Sequence, residues 1–106
     1  MSDLSNYRKS YEKSELLESM VDENPMMQFR KWFYETEEFG GVDEVNAMTV
    51  STIGFDGFPK ARVVLLKKYD ENGFTFVTNY DSEKGKALLA NPHVCISFFW
   101  PSIERQ

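Results

Sequence analysis

Cationic and hydroxyl side chains crowd into two short stretches, Lys60, Arg62, Lys67 and Lys68 in the first and Ser82, Lys84 and Lys86 in the second. The chemistry they suggest is anion binding. Ser82 stands where it can cap a helix, and a helix start offers free N–H groups with a partial positive charge, so Ser82 and Lys84 beside Arg62 can hold a phosphate monoester. Spacing alone favours the plainer alternative of solvated surface lysines. Strand alternation also sets Arg62 and Lys67 on opposite faces, so both reach one ligand only if the strand bulges or the ligand lies along its edge.

Other catalytic chemistry finds little support. The sequence holds no phosphate-cradling P-loop, no dinucleotide glycine fingerprint and no Gly-x-Ser-x-Gly elbow. His93 begins a strand beside Pro92, which favours a structural or solvated role over acid–base work. Cys95 alternates within an apolar strand, the pattern of a small core residue rather than a nucleophile. With one Cys and one His, neither an intrachain disulfide nor a Cys/His zinc set can form.

The elements that must position the cations follow from periodicity. Asn24 as N-cap, Pro25 at the first turn and Met26, Phe29, Trp32 and Phe33 at helical spacing predict an amphipathic helix over 24–40, stopped by Gly40-Gly41. Residues 1–22 are charged with a weak apolar stripe, an arm or a short helix. From residue 46 the period falls to two: Met48 to Ile53 reads as a strand, Gly54 to Pro59 as a turn, Ala61 to Tyr69 as a second strand, and Phe74 to Asn79 as a third after the Asn72-Gly73 turn. A short helix near 82–90 must end before Pro92, and His93 to Trp100 forms a fourth strand. Helices in front of hairpin-joined strands indicate an α+β protein on an antiparallel sheet or barrel, with 1–106 as a single domain.

The 106 residues include 42% hydrophobic and 27% charged side chains, with nine Phe, five Tyr and two Trp. That is a large apolar load for one small domain, and part of it can be meant for a partner subunit. The formal charge of −5 disfavours a phosphate-backbone binder, so no nucleic acid is expected. Residues 1–44 carry eleven acids against five bases, whereas 45–106 carry six against seven, so the second stretch is where an anion belongs. The N-terminus has no apolar leader core, and the apolar run Val94–Trp100 is too short to cross a bilayer. A lone cysteine suits a reducing compartment, so a cytoplasmic protein without membrane contact is expected. The apolar fourth strand runs into Pro101–Gln106 with no closing element, which suggests that the chain stops inside a larger domain.

Arg62-Val63-Val64-Leu65-Leu66-Lys67, then Tyr69-Asp70, Asn72-Gly73, Phe76-Val77-Thr78-Asn79, Ser82-Glu83-Lys84-Gly85-Lys86, Asn91-Pro92, Phe99-Trp100-Pro101 and Glu104-Arg105-Gln106 form an ordered series. In order and spacing, with Arg8-Lys9-Ser10-Tyr11 and Asn24-Pro25, it resembles the first half of the pyridoxamine/pyridoxine 5′-phosphate oxidase family. The resemblance implies an FMN-binding split barrel, incomplete here at the C-terminus, that works as a homodimer with FMN at the subunit interface. It also implies oxidation of a phosphorylated B6 vitamer, pyridoxamine or pyridoxine 5′-phosphate, to pyridoxal 5′-phosphate with O₂ as acceptor, the flavin carrying the redox chemistry.

Position by position, the resemblance assigns FMN contacts to Arg62, Val63, Val64, Leu65, Leu66 and Lys67, to Val77 and Thr78, to Lys84 on the phosphate side, and to Gln106. Lys67 also matches a substrate contact, and Arg8 and Tyr11 belong to an arm that covers the substrate. Where many relatives carry Arg beside the helix lysine this chain has Glu83, which cannot donate to phosphate. The family continues well beyond residue 106, with further substrate and flavin contacts there. The alternatives are another FMN-dependent oxidoreductase of the split-barrel superfamily, or a non-catalytic truncated paralogue acting as an interaction module.

Overall fold

A computed structural model describes residues 2–12 and 15–106. The expected arm at 1–22 falls partly on Met1, Lys13 and Ser14, which lie outside the described residues; the described part has one 3-10 turn at Glu18–Met20. Helix α1 spans Pro25–Phe39. The Asn24 side chain accepts the N–H groups of Met26 at 2.9 Å and Met27 at 3.4 Å, satisfying two donors that a helix start otherwise strands. Gly40, at φ 79°, ends the helix by donating its N–H to the Thr36 carbonyl at 3.0 Å.

Strand β1 (Ala47–Ile53) lies between β2 (Pro59–Leu65) and β5 (Cys95–Ser97), antiparallel to both. Its alternation is clean: Met48, Val50 and Thr52 are buried. Strands β3 (Lys68–Asp70) and β4 (Gly73–Thr75) form a separate antiparallel pair, and α2 runs over Glu83–Ala90. Two helices and antiparallel sheets make the chain α+β, as its periodicity indicates.

The second strand differs from expectation, because Ala61–Tyr69 is not one strand but parts of two. The Leu66 N–H still donates to Asn46 at 2.8 Å, yet the next N–H, of Lys67, donates to Thr75 at 2.8 Å. The Asn46 side-chain amide takes the Leu66 carbonyl at 2.9 Å, so the break leaves that acceptor satisfied. The backbone thus changes sheets between residues 65 and 68, a switch that an unbroken apolar run conceals. The third and fourth strands are shorter than predicted because their ladders are short: β4 pairs with β3 only as far as Thr75 opposite Lys68, and β5 pairs with β1 only over Cys95–Ser97, opposite Ser51, Val50 and Thr49. The β3–β4 turn is also offset by one residue. Glu71 and Asn72 connect the paired Asp70 and Gly73, and only Gly73 takes a positive φ, of 143°.

Met48, Val50 and Leu66 form the core cluster, with Phe29, Val64, Tyr69, Phe74, Phe76, Ile96 and Phe98 packed against it. Phe29 is the hub. Its ring lies 5.0 Å from Tyr69, 4.9 Å from Phe74 and 5.0 Å from Phe98, all edge-on, the favourable arrangement for aromatic quadrupoles. One helical residue therefore fastens α1 to the packing of both sheets. After β5 the chain turns back on itself: Trp100 and Arg105 pair across a turn with Glu104 at φ 55°, and the Trp100 indole N–H donates to the Val45 carbonyl at 3.0 Å. This hook folds residues 100–105 back on themselves through a single bridge pair. Phe29→Ala is expected to destabilise the fold by about 3 kcal/mol, and Phe29→Leu by clearly less; urea unfolding midpoints check both.

Candidate functional site

The cleft is built from the β1–β2 register. Val50 faces Arg62 and Thr52 faces Lys60, so the two cations share the face of the buried β1 side chains. Helix α2 packs over that face with Ala87 buried toward it, while the buried Gly85 abuts Asn79 and Tyr80 of the preceding loop. Between them lies a cleft of about 600 Å³, walled by Val50 and Thr52 of β1, Gly54 to Asp56 of the hairpin, Pro59 to Arg62 of β2, and Glu83, Lys84 and Ala87 of α2. Arg62 and Lys84, far apart in sequence, are thereby brought to one opening.

The helix start is anchored by its own loop. The Ser82 hydroxyl donates to the Asn79 carbonyl at 2.7 Å and accepts the Gly85 N–H at 3.0 Å. The first N–H groups of α2 keep no acceptor inside the helix and carry the positive end of its dipole. At the opposite wall Lys60 is held by Asp56, Nζ to Oδ2 3.0 Å, while the same carboxylate accepts the Phe58 N–H at 3.0 Å. The Lys60 ammonium, then the Phe58 N–H, keep the Asp56 carboxyl below the ordinary carboxylate range. The contact is intact at neutral pH and disappears as pH falls through that lowered value. Gly54 makes room for it, because a Cβ there would stand 2.8 Å from Lys60 Cε and 2.9 Å from Asp56 Oδ1. Among the described residues, no carboxylate lies within ion-pair distance of Arg62 or Lys84. Lys84 at the helix start and Arg62 on the strand wall, neither ion-paired, suit a phosphate monoester.

The other expected site residues divide by location. Val64 packs on the core and Leu66 belongs to it, whereas Leu65 is half-buried and Val63 is exposed. Val77 is exposed, but the neighbouring Thr78 hydroxyl oxygen is buried without a hydrogen-bond partner. A buried hydroxyl in that state is costly unless a ligand satisfies it. Lys67 does not join Arg62. It lines a more open depression of about 730 Å³ with Arg30, Tyr34, Glu37, Lys68 and Tyr69, on the far side of the sheet switch. There burial, aided by Tyr34 and Glu37 and opposed by Arg30, raises the Tyr69 phenol above its ordinary value. Arg8 and Tyr11 line a groove made only by residues 7–11, and Gln106 is exposed beyond the hook, so none of these three reaches either depression.

Asp56, Thr52 and Phe55 of the cleft were not singled out by sequence. The usable signal was Asp56 four residues before Lys60 in a Gly-rich turn. The hook holds the N-terminal stretch: Lys9 lies 3.9 Å from Glu104, and Arg105 stacks 5.4 Å over Trp32 while donating to the Glu15 carbonyl at 3.3 Å. Cys95 departs from its expected core position. Ile96 faces Val50 on the buried side, so Cys95 projects from the other face and is exposed. Among the described residues no three His, Cys, Asp or Glu side chains gather to hold a metal, and no helix is long and apolar enough to cross a membrane.

Gly85→Ala tests the anchoring of the helix, since its Cβ would run into the Asn79 carbonyl. Alanine ordinarily favours a helix by up to about 1 kcal/mol; here the clash is expected to reverse the sign and lower stability by about 1–3 kcal/mol, read as a lower thermal midpoint.

The family model described as pyridoxamine 5′-phosphate oxidase matches residues 35–106. The chain is 69% identical over all 106 residues to the pyridoxine/pyridoxamine 5′-phosphate oxidase of Flavobacterium psychrophilum and 71% identical to that of Flavobacterium johnsoniae, covering 50% of each. It thus spans about half the length of the curated relatives it matches. Among solved structures it resembles PhzG from Burkholderia lata (TM-score 0.72, 23% identity, 81% of this chain and 43% of that one). It also resembles a pyridoxamine 5′-phosphate oxidase-related, FMN binding protein from Nostoc punctiforme (TM-score 0.61, 16% identity, 72% and 41%). These likenesses identify the fold as part of the split barrel, and the match over residues 35–106 places the chain in the pyridoxamine 5′-phosphate oxidase family.

Proposed function

We propose that this chain is the first half of an FMN-dependent oxidase that converts pyridoxamine or pyridoxine 5′-phosphate to pyridoxal 5′-phosphate. The observation that carries this reading is the 69% identity, along the whole chain, to an oxidase of that name. The residues fit the cofactor: Arg62 and Lys84 stand at one opening and, among the described residues, have no carboxylate partner, while the buried Thr78 hydroxyl has no hydrogen-bond partner there. In this reading Arg62 and Lys84 bind the flavin phosphate, Thr78 supplies a hydrogen bond, and residues 63–66 support the cofactor as part of β2 and its extension. When bound, FMN supplies the hydride acceptor for the substrate C4′ carbon, and O₂ regenerates it with release of hydrogen peroxide.

The protein's own groups bind and position. Lys67, beyond the sheet switch, offers its ammonium to the substrate and to the outer edge of the cofactor, while Arg8 and Tyr11, which line neither depression in this structure, belong in this reading to the arm that covers the substrate and excludes water. Gln106 completes the cofactor contacts in a dimer whose two copies share the site. Exposed Phe55, Phe58 and Val63 around the hairpin supply apolar surface for that association. A reducing, cytoplasmic setting agrees with the single exposed thiol.

The full-length protein is expected to purify as a yellow dimer that consumes O₂ with pyridoxine 5′-phosphate, while residues 1–106 alone are inactive. Lys67→Ala should lower kcat/KM by about tenfold or more, chiefly through weaker binding of flavin or substrate. A colourless full-length protein that takes up no added FMN overturns the reading.

A further inference from the structure

Two carboxylates line the Arg62 cleft, Asp56 and Glu83, and among the described residues only Asp56 is matched by a cation. Glu83 opens α2, is exposed, and lines the cleft alongside Lys60, Arg62 and Lys84. Among the described residues no cation lies within ion-pair distance of its carboxylate. Lys60 is already matched by Asp56 at 3.0 Å. Glu83 therefore leaves the two remaining cations, Arg62 and Lys84, partly offset by a nearby negative charge. Its position has a separate physical benefit, since a carboxylate in the first turn interacts favourably with the helix dipole and the free N–H groups. The interaction that steadies the start of α2 is thus the one a phosphate dianion would make, and the two compete for the same positive field.

We propose that Glu83 is an affinity-setting residue of this cleft: it occupies the field of the α2 start, weakens the hold on a phosphate dianion, and so makes the phosphorylated flavin more readily exchangeable. The inference rests on the cleft being the flavin-phosphate site. Glu83 touches only the charged end of the ligand in this scheme, so its influence falls on FMN and not on riboflavin, which lacks the phosphate.

The test titrates flavin-free full-length protein with FMN and with riboflavin, following quenching of flavin fluorescence at low and high salt. Glu83→Gln is expected to bind FMN about three- to tenfold more tightly than the parent, and Glu83→Lys more tightly still, as removal of a nearby repulsive charge in a solvated cleft requires. Riboflavin affinity should stay unchanged, and the FMN gain should shrink toward nothing near 1 M salt as the charges are screened. The flavin-free Glu83→Gln protein should melt slightly lower, while Glu71→Gln on the distant β3–β4 turn changes neither affinity. If the parent prefers FMN to riboflavin but both Glu83 variants bind FMN no more tightly, the role given to Glu83 is wrong and the phosphate site stands. If the parent binds the two flavins equally, the phosphate site itself is wrong and the inference falls with it.

Discussion

The register of β1 against β2 fixes where the strand-borne charges of the cleft, Lys60 and Arg62, stand. Because side chains alternate along a strand, a slip of one residue would send Arg62 and Lys60 to the opposite face and leave Lys84 facing a different wall. The slip is opposed by burial: Met48, Val50 and Thr52 share the inner face of β1, and Val64 and Leu66 continue it on the neighbouring segment. The hairpin tip adds a second lock, with the Gly54 N–H donating to Phe58 at 2.9 Å and Asp56 bracing Lys60. Core packing, rather than any direct interaction between Arg62 and Lys84, is what brings the two cations to one opening.

The sheet switch at Leu66 and Lys67 then divides the labour. Up to Leu66 the backbone answers to β1, and after it to β4, so consecutive residues serve different surroundings. Leu66 is sealed into the core while Lys67 opens onto the depression beside Tyr34 and Tyr69. A short stretch of chain can thus address a phosphate on one side and another ligand group on the other without a bulge. This resolves the alternation problem that the Arg62–Lys67 spacing poses: the two cations serve a common function only through a ligand, or a second copy of the chain, that spans the switch.

Stability and binding meet at the start of α2. Ser82 and Asn79 anchor the helix and Gly85 lets it approach the preceding loop, so the local structure is complete without a ligand. Among the described residues, by contrast, Arg62 and Lys84 have no carboxylate within ion-pair distance and the buried Thr78 hydroxyl has no hydrogen-bond partner. Polar groups held in place yet unsatisfied are the usual mark of a surface shaped for something other than its own fold.

The sequence by itself determined the elements and their character: Asn24-Pro25 and the Phe29 spacing set α1, the period-two run of Met48 to Ile53 set β1, and Ser82 with Pro92 bounded α2. These are local matters of capping, dihedral preference and alternation. It also disclosed the family, because the ordered series from Arg62 to Gln106 is long. Only tertiary structure decided that the run from residue 61 to 69 breaks between two sheets, that Arg62 and Lys84 share a cleft from which Lys67 is excluded, that Asp56 neutralises Lys60, and that Trp100 and Arg105 pair across a tight turn. Each of these depends on which backbone groups pair across long sequence separations, and an apolar run reads the same whether its partners change midway or not.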